Sequence, residues 1–159
     1  MGLKQSITPY LWFDGTAKEA ADFYVSVFPN SRIVTVGHNS EDTPGPTGSV
    51  LVVLFELDGV RFGAINGGST FKLSEATSFL IDCATQEEID FYWEKLGAGG
   101  QYQACGWLKD RFGLSWQVNS SDLVEKAHAD PAAGARVMKA MMDMVKIDLA
   151  GLQRALDGK

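Results

Sequence analysis

Trp12–Phe28 reads WFDGTAKEAADFYVSVF, and Leu80–Leu96 reads LIDCATQEEIDFYWEKL. A shift of 68 residues lays Asp14 on Asp82, Glu19 on Glu87, and Asp22-Phe23-Tyr24 on Asp90-Phe91-Tyr92. Each copy opens on an apolar run and passes into a segment of helical spacing that ends in Asp-Phe-Tyr. A period this long does not suit a solenoid unit; two copies in 159 residues mean a duplicated half-domain.

Around the first copy, Ile7–Phe13 is a short apolar and aromatic run that reads as a strand. Thr16 is placed to cap the helix that follows, with Glu19 completing a capping box. Ala17, Ala20, Ala21, Tyr24, Val25 and Phe28 recur at helical spacing, and Pro29-Asn30 stops the helix. Arg32–Gly37 and Ser49–Leu57 read as strands flanking a polar, Pro/Gly-rich loop at Asn39–Gly48. Asp58-Gly59 is a hairpin signal, and Val60–Ile65 is the returning strand.

The second copy repeats the order. Thr77–Cys83 reads as a strand, and Thr85 caps a helix carrying Ile89, Tyr92, Trp93 and Leu96. Gly97–Gly100 ends that helix, and Gln103–Leu108 and Leu114–Val118 read as strands joined by a turn at Lys109–Gly113. Each half reads as a strand, a helix, then two or three strands joined by hairpins, the plan of a β-α-β-β-β unit. In the tail, Asp130-Pro131 is an N-cap with Pro at the first helical position. Val137, Met138, Met141, Met142 and Val145 then form an apolar stripe, and a last helix follows Asp148. The two helices pack on the domain or on a dimer partner; a Met-rich ligand surface is the alternative.

The chain is long enough for one domain with a core of its own. Composition is that of a soluble globular protein, 45% hydrophobic and 21% charged. A net charge of −6 argues against nucleic acid and anionic membranes, because phosphate binding needs clustered Lys and Arg. No apolar run approaches the roughly 20 residues of a membrane span. Cys83 and Cys105 form no Cys-x-x-Cys pair and read as reduced thiols. Met1–Phe13 lacks the long apolar core of a signal peptide, so the expected location is cytoplasmic.

Several segments resemble one family: Ile7–Gly15, Asp22–Ser31, Gly45–Val50, Ala64–Gly68, Tyr92–Leu96, Cys105–Val118 and Arg136–Asp148. The chain is similar to the PhnB-like proteins, labelled 3-demethylubiquinone-9 3-methyltransferase, of the vicinal oxygen chelate superfamily. That superfamily includes glyoxalase I, extradiol dioxygenases, and fosfomycin and bleomycin resistance proteins. The resemblance implies an α+β, glyoxalase-like fold in which two β-α-β-β-β modules form a cupped eight-stranded mixed sheet, followed by C-terminal helices. It makes residues 1–159 a single domain, with modules at about 5–68 and 75–120 and a helical tail at about 121–158. It also implies a homodimer.

Enzymes of the superfamily hold a divalent metal in the cup through His or Glu of the first, fourth, fifth and eighth strands. Here the resemblance puts those positions on Pro9, a residue between Gly63 and Asn66, Thr77 or Ser78, and Gln117. Val60–Leu73 contains no His, Asp, Glu or Cys, and the only histidines, His38 and His128, read as exposed. Metal chemistry needs nitrogen or carboxylate ligands, so neither metal nor cofactor is expected. The methyltransferase label reads as a family name, since neither Gly67-Gly68 nor Gly99-Gly100 stands between a strand and a helix.

Strand alternation, in the superfamily's orientation, puts Pro9, Leu11 and Phe13 in the cup with Ser78, Leu80, Ser115 and Gln117. Trp12, Phe79 and Trp116 then point to the helices, and Asn66, Cys105, Trp107 and Lys109 stand at the rim. The candidate ligand-binding residues are therefore Leu11, Phe13, Asn66, Ser78, Cys105, Trp107, Lys109 and Gln117; no catalytic residue is assigned. Cys105 reads as a structural thiol, Lys109-Asp110 as a surface ion pair, and Asp14 and Asp82 as acceptors in the strand-to-helix turns. The leading reading is a protein that binds a small organic molecule without metal. Competing readings are an enzyme of altered chemistry and a structural dimer with a filled cup.

Overall fold

The computed structural model describes residues 5–159. The chain divides into two compact units, the first running to Leu73 and the second covering Ser74–Lys159. The first holds β1 (Tyr10–Phe13), α1 (Ala17–Val27), β2 (Arg32–His38), β3 (Val50–Leu57) and β4 (Val60–Asn66). They form a mixed sheet in the order β1-β4-β3-β2, with β1 parallel to β4 and the other pairs antiparallel. The Asp58-Gly59 hairpin is as expected: both residues have positive φ, 46° and 78°, as its tight turn requires.

β1 starts at Tyr10, not Ile7. Ahead of it the Gln5 side chain brackets Arg61, accepting from its N–H and donating to its carbonyl, each at 2.9 Å. Leu11, Ala64 and Val53 stand in register on one face of the sheet, and all are buried. Phe62 and Phe55 continue that face, and Tyr24 of α1 stacks on Phe55. The helix lies close because Ala17, Ala20 and Ala21 are fully buried. Val27 completes its buried stripe; Val25 and Phe28, expected there, are half-buried.

The capping box predicted at Thr16 and Glu19 does not form. Thr16 has φ −103° and ψ 12°, outside the extended region a capping side chain uses, and its hydroxyl makes no cap bond. The Ala17 N–H instead donates to Asn66 Oδ1 at 2.9 Å.

The second unit holds β5 (Ser78–Asp82), α2 (Gln86–Gly97), β6 (Gln101–Tyr102), β7 (Trp107–Lys109) and β8 (Ser115–Asn119). Its sheet order, β5-β8-β7-β6, repeats that of the first, again with a parallel pair at one edge. Two four-stranded mixed sheets thus supply the expected eight strands. Here the helix is capped locally: Thr85 is extended, its hydroxyl accepts the Glu88 N–H at 3.2 Å, and Glu88 Oε2 accepts the Ala84 N–H at 2.7 Å.

Gln103–Leu108 is not one strand. Ala104–Trp107 is a tight turn, closed by the Trp107 N–H to the Ala104 carbonyl at 3.2 Å, with Cys105 at φ 61° and Gly106 at φ 78°. β6 and β7 are the two arms of this hairpin.

The tail has three helices, α3 (Ser121–His128), α4 (Pro131–Met142) and α5 (Leu149–Asp157), where two were expected. Asp130 caps α4 as predicted, accepting the Ala132 N–H at 3.0 Å. The tail is fastened to its own unit. Met144 and Val145 carbonyls accept the N–H groups of Cys105 and Gly106, each at 2.8 Å. Gln86 bonds to the Ile147 carbonyl and the Leu149 N–H, Lys146 pairs with Asp90 at 2.6 Å, and Ile147 is fully buried. Asp82, expected to serve the turn into α2, accepts the Ser121 N–H at the start of α3.

Candidate functional site

In the second unit, Trp93 of α2 stacks on Tyr102, which stands in register with Leu108 and Trp116. Phe79 joins Trp116 on this side, so both point towards the helix as expected. Alternation puts Ser78, Leu80, Trp107, Lys109, Ser115 and Gln117 on the face turned away from α2. There Gln117 Nε2 donates to Ser78 Oγ at 2.8 Å. Trp107 is the register partner of Gln117, and Leu80, 47% exposed, stands on its other side. Ser115 Oγ is buried with no hydrogen-bond partner among the described residues. The face brings four of the candidates, Ser78, Trp107, Lys109 and Gln117, onto one surface.

Lys109 is not free to act as a base or an anion anchor. Its ammonium pairs with Glu75 at 2.6 Å, and Gln103 donates to the same carboxylate at 3.1 Å. The Lys109 hydrogen bond, more than anything else, pulls the Glu75 carboxyl down to about 2. Asp110 is no surface partner of Lys109: it is 2% exposed and accepts from the Phe112 and Leu114 N–H groups and the Trp116 indole.

The remaining candidates stand elsewhere. Leu11 and Phe13, expected in the cup, are core residues on the α1 face, and Trp12 is on the opposite face with Ile65 and Val52. The expected parity was inverted because Tyr10-Leu11-Trp12-Phe13 has no polar position to mark a side. Asn66 is a brace: its Oδ1 caps α1 and its Nδ2 donates to the Val50 carbonyl at 3.0 Å. Cys105 sits in the β6–β7 turn beneath the tail. Burial pushes the Cys83 thiol up to about 12.

The face away from α2 offers hydroxyls and the amides of Gln117 and Asn119, with no imidazole; of the two carboxylates at it, Glu75 is salt-bridged to Lys109 and Asp82 accepts the Ser121 N–H. This donor set does not fit a divalent metal of the kind the superfamily uses. Among the described residues no group of three His, Cys, Asp or Glu could hold a metal ion. His38 and His128 are both exposed.

The sequence reading missed a cleft of about 750 Å³ in the first unit. It runs between the N-terminus of α1 and the Asn39–Gly48 loop, with Trp12, Lys18, Asn39, Pro46, Ile65 and Asn66 among its walls. The only advance signal was the Pro44-Gly45-Pro46 stiffening of the polar, Pro/Gly-rich loop.

No curated protein matches the chain. A family model described as 3-demethylubiquinone-9 3-methyltransferase matches residues 5–119. The PhnB protein from Bacillus cereus is 36% identical with a TM-score of 0.68, over 74% of this chain and 100% of that one. A Pseudomonas aeruginosa protein is 21% identical (TM-score 0.57), over 74% of this chain and 98% of its own. The fosfomycin resistance protein FosX from Listeria monocytogenes, solved with Mn(II) and sulfate, is 14% identical (TM-score 0.53), over 80% of this chain and 98% of its own. The last two likenesses are of fold alone. The duplicated module, its strand order and the match over residues 5–119 together make this chain a PhnB-like member of the 3-demethylubiquinone-9 3-methyltransferase family.

Proposed function

We propose that the protein binds a small organic molecule, without a metal, on the second-unit face turned away from α2. The observation that carries this is the Gln117–Ser78 hydrogen bond set beside Trp107 and Leu80. With Gln117 Nε2 committed to Ser78 Oγ, the serine proton and the Gln117 carbonyl are left to meet a ligand, and the indole and leucine supply apolar surface. A few convergent polar groups on an apolar wall are what small-molecule sites use. Gly67-Gly68 leads into an irregular segment and Gly99-Gly100 into β6, which supports taking the methyltransferase label as a family name. The same reading takes the protein to be a cytoplasmic homodimer.

Thermal-shift screening against a metabolite library tests this. The expected result is a compound that raises the Tm of the native protein but not of Gln117→Ala. Stoichiometric Mn(II) or Zn(II) binding that Gln117→Ala abolishes would overturn the metal-free reading, and a library without a Gln117-dependent hit would overturn the site.

A further inference from the structure

We propose that Asn66-Gly67 is a modification site, at which the asparagine deamidates spontaneously once the first unit opens and is protected while that unit stays folded. It is the only Asn-Gly dipeptide in the sequence; Asn30, Asn39 and Asn119 each precede serine. A following glycine has no side chain to obstruct the reaction and leaves the backbone free to reach it. The Gly67 backbone nitrogen, after losing its proton, attacks Asn66 Cγ. The new N–C bond closes a cyclic imide, the Cγ–Nδ2 bond breaks, and the nitrogen departs with a proton as ammonia. Water then opens the imide at either carbonyl, leaving aspartate or isoaspartate.

The fold itself demands this labile pair. Asn66 Oδ1 accepts the Ala17 N–H at 2.9 Å and Nδ2 donates to the Val50 carbonyl at 3.0 Å, so one side chain ties the start of α1 to the start of β3. Only an amide supplies both an acceptor and a donor; a carboxylate supplies the first alone. Gly67 is fixed by Trp12, since a Cβ there would fall 2.1 Å from the indole. That ring has no room to retreat: its N–H donates to the Gly68 carbonyl at 2.8 Å, and it meets Phe71 edge-on at 5.0 Å.

The same contacts hold the reaction off. The Gly67 N–H donates to the Phe13 carbonyl at 3.0 Å, which keeps its proton in place, and the Asn66 amide is held at both ends away from that nitrogen. The products do not refit. Aspartate sets a carboxylate against the Val50 carbonyl, and isoaspartate adds a methylene to the backbone, which displaces Gly67 from Phe13 and Trp12. Val50 adjoins Ser49, onto which Asn39 folds its loop back, its N–H donating to the Ser49 carbonyl at 2.8 Å and its Nδ2 to Ser49 Oγ at 2.9 Å. A chain that dwells unfolded therefore loses a fastening on which its first unit depends.

Peptide mapping by mass spectrometry tests the proposal. Protein is held at mildly alkaline pH, either native or in guanidinium chloride, and the tryptic peptide Phe62–Lys72 is followed against those carrying Asn30, Asn39 and Asn119. In denaturant Asn66 is expected to convert fastest of the four, and in the native protein at least about tenfold more slowly than in denaturant. On removal of the denaturant, converted chains should unfold at a lower guanidinium midpoint than unconverted ones, and Asn66→Asp should reproduce the shift. Equal native and unfolded rates at Asn66, slower conversion in denaturant than at the Asn-Ser pairs, or converted chains with an unchanged midpoint would overturn the assignment. The rates on the unmodified protein decide the site even where Asn66→Asp does not fold.

Discussion

The Asp110 carboxylate accepts from the Phe112 and Leu114 backbone N–H groups and from the Trp116 indole. A carboxylate this deeply buried persists because fixed donors replace its water. Asp110→Ala would strand those donors, and we expect it to lower unfolding stability by about 3 kcal/mol in urea titration. A red shift of Trp116 fluorescence should accompany the loss. Glu75 makes a different, exposed pairing. Its folded value, about 2, lies below the ordinary 4.5, so the Lys109 contribution is complete above that ordinary value and is lost as pH falls towards about 2. Lys109→Met should return the Glu75 midpoint towards the ordinary carboxylate range in a carboxyl-detected NMR titration. Cys83, fully buried and raised to about 12, should resist alkylation at pH 8 in the native protein and react once urea unfolds it.

At the scale of elements, the two helices of the repeat are started in different ways. α2 uses its own Thr85 and Glu88, whereas α1 borrows Asn66 from the end of β4. Asn66→Ala should therefore cost about 1–2 kcal/mol, while Thr16→Ala should be nearly neutral; chemical denaturation of the two variants checks both. This contrast also marks where the sequence was readable. Thr16 and Glu19 have a capping box's residue types and spacing, but the backbone angles of Thr16 are a tertiary outcome that spacing does not encode. The sheet parities divide similarly. Ser78-Phe79-Leu80-Ile81-Asp82 is polar at both ends, which fixes Phe79 and Ile81 as the helix side. Tyr10–Phe13 has no such marker, so Leu11 and Phe13 were read onto the wrong face. The β6–β7 turn was hidden because Cys105, not Gly or Asn, takes its first left-handed position.

At the scale of the molecule, duplication was legible because helical spacing and the Asp-Phe-Tyr endings recur at a constant interval. The cleft was not, since it depends on a loop folded back through one asparagine. The tail lies beyond the residues matched by the family model, yet it is fastened to the second unit at the β6–β7 turn and at Gln86. Ile147→Ala should lower stability by about 3 kcal/mol and speed proteolytic cutting near residues 143–148, which gel analysis of limited digests would follow. The unequal capping also sets an order of events as the chain folds. α2 has its start signal within a few residues of sequence, so its first turn can form early. The first turn of α1 must wait for a residue 49 positions away. Thr85→Ala should therefore slow refolding, while Asn66→Ala should chiefly hasten unfolding. Once duplicated, the two halves came to differ in when their helices form, even though the strand order of their sheets stayed the same.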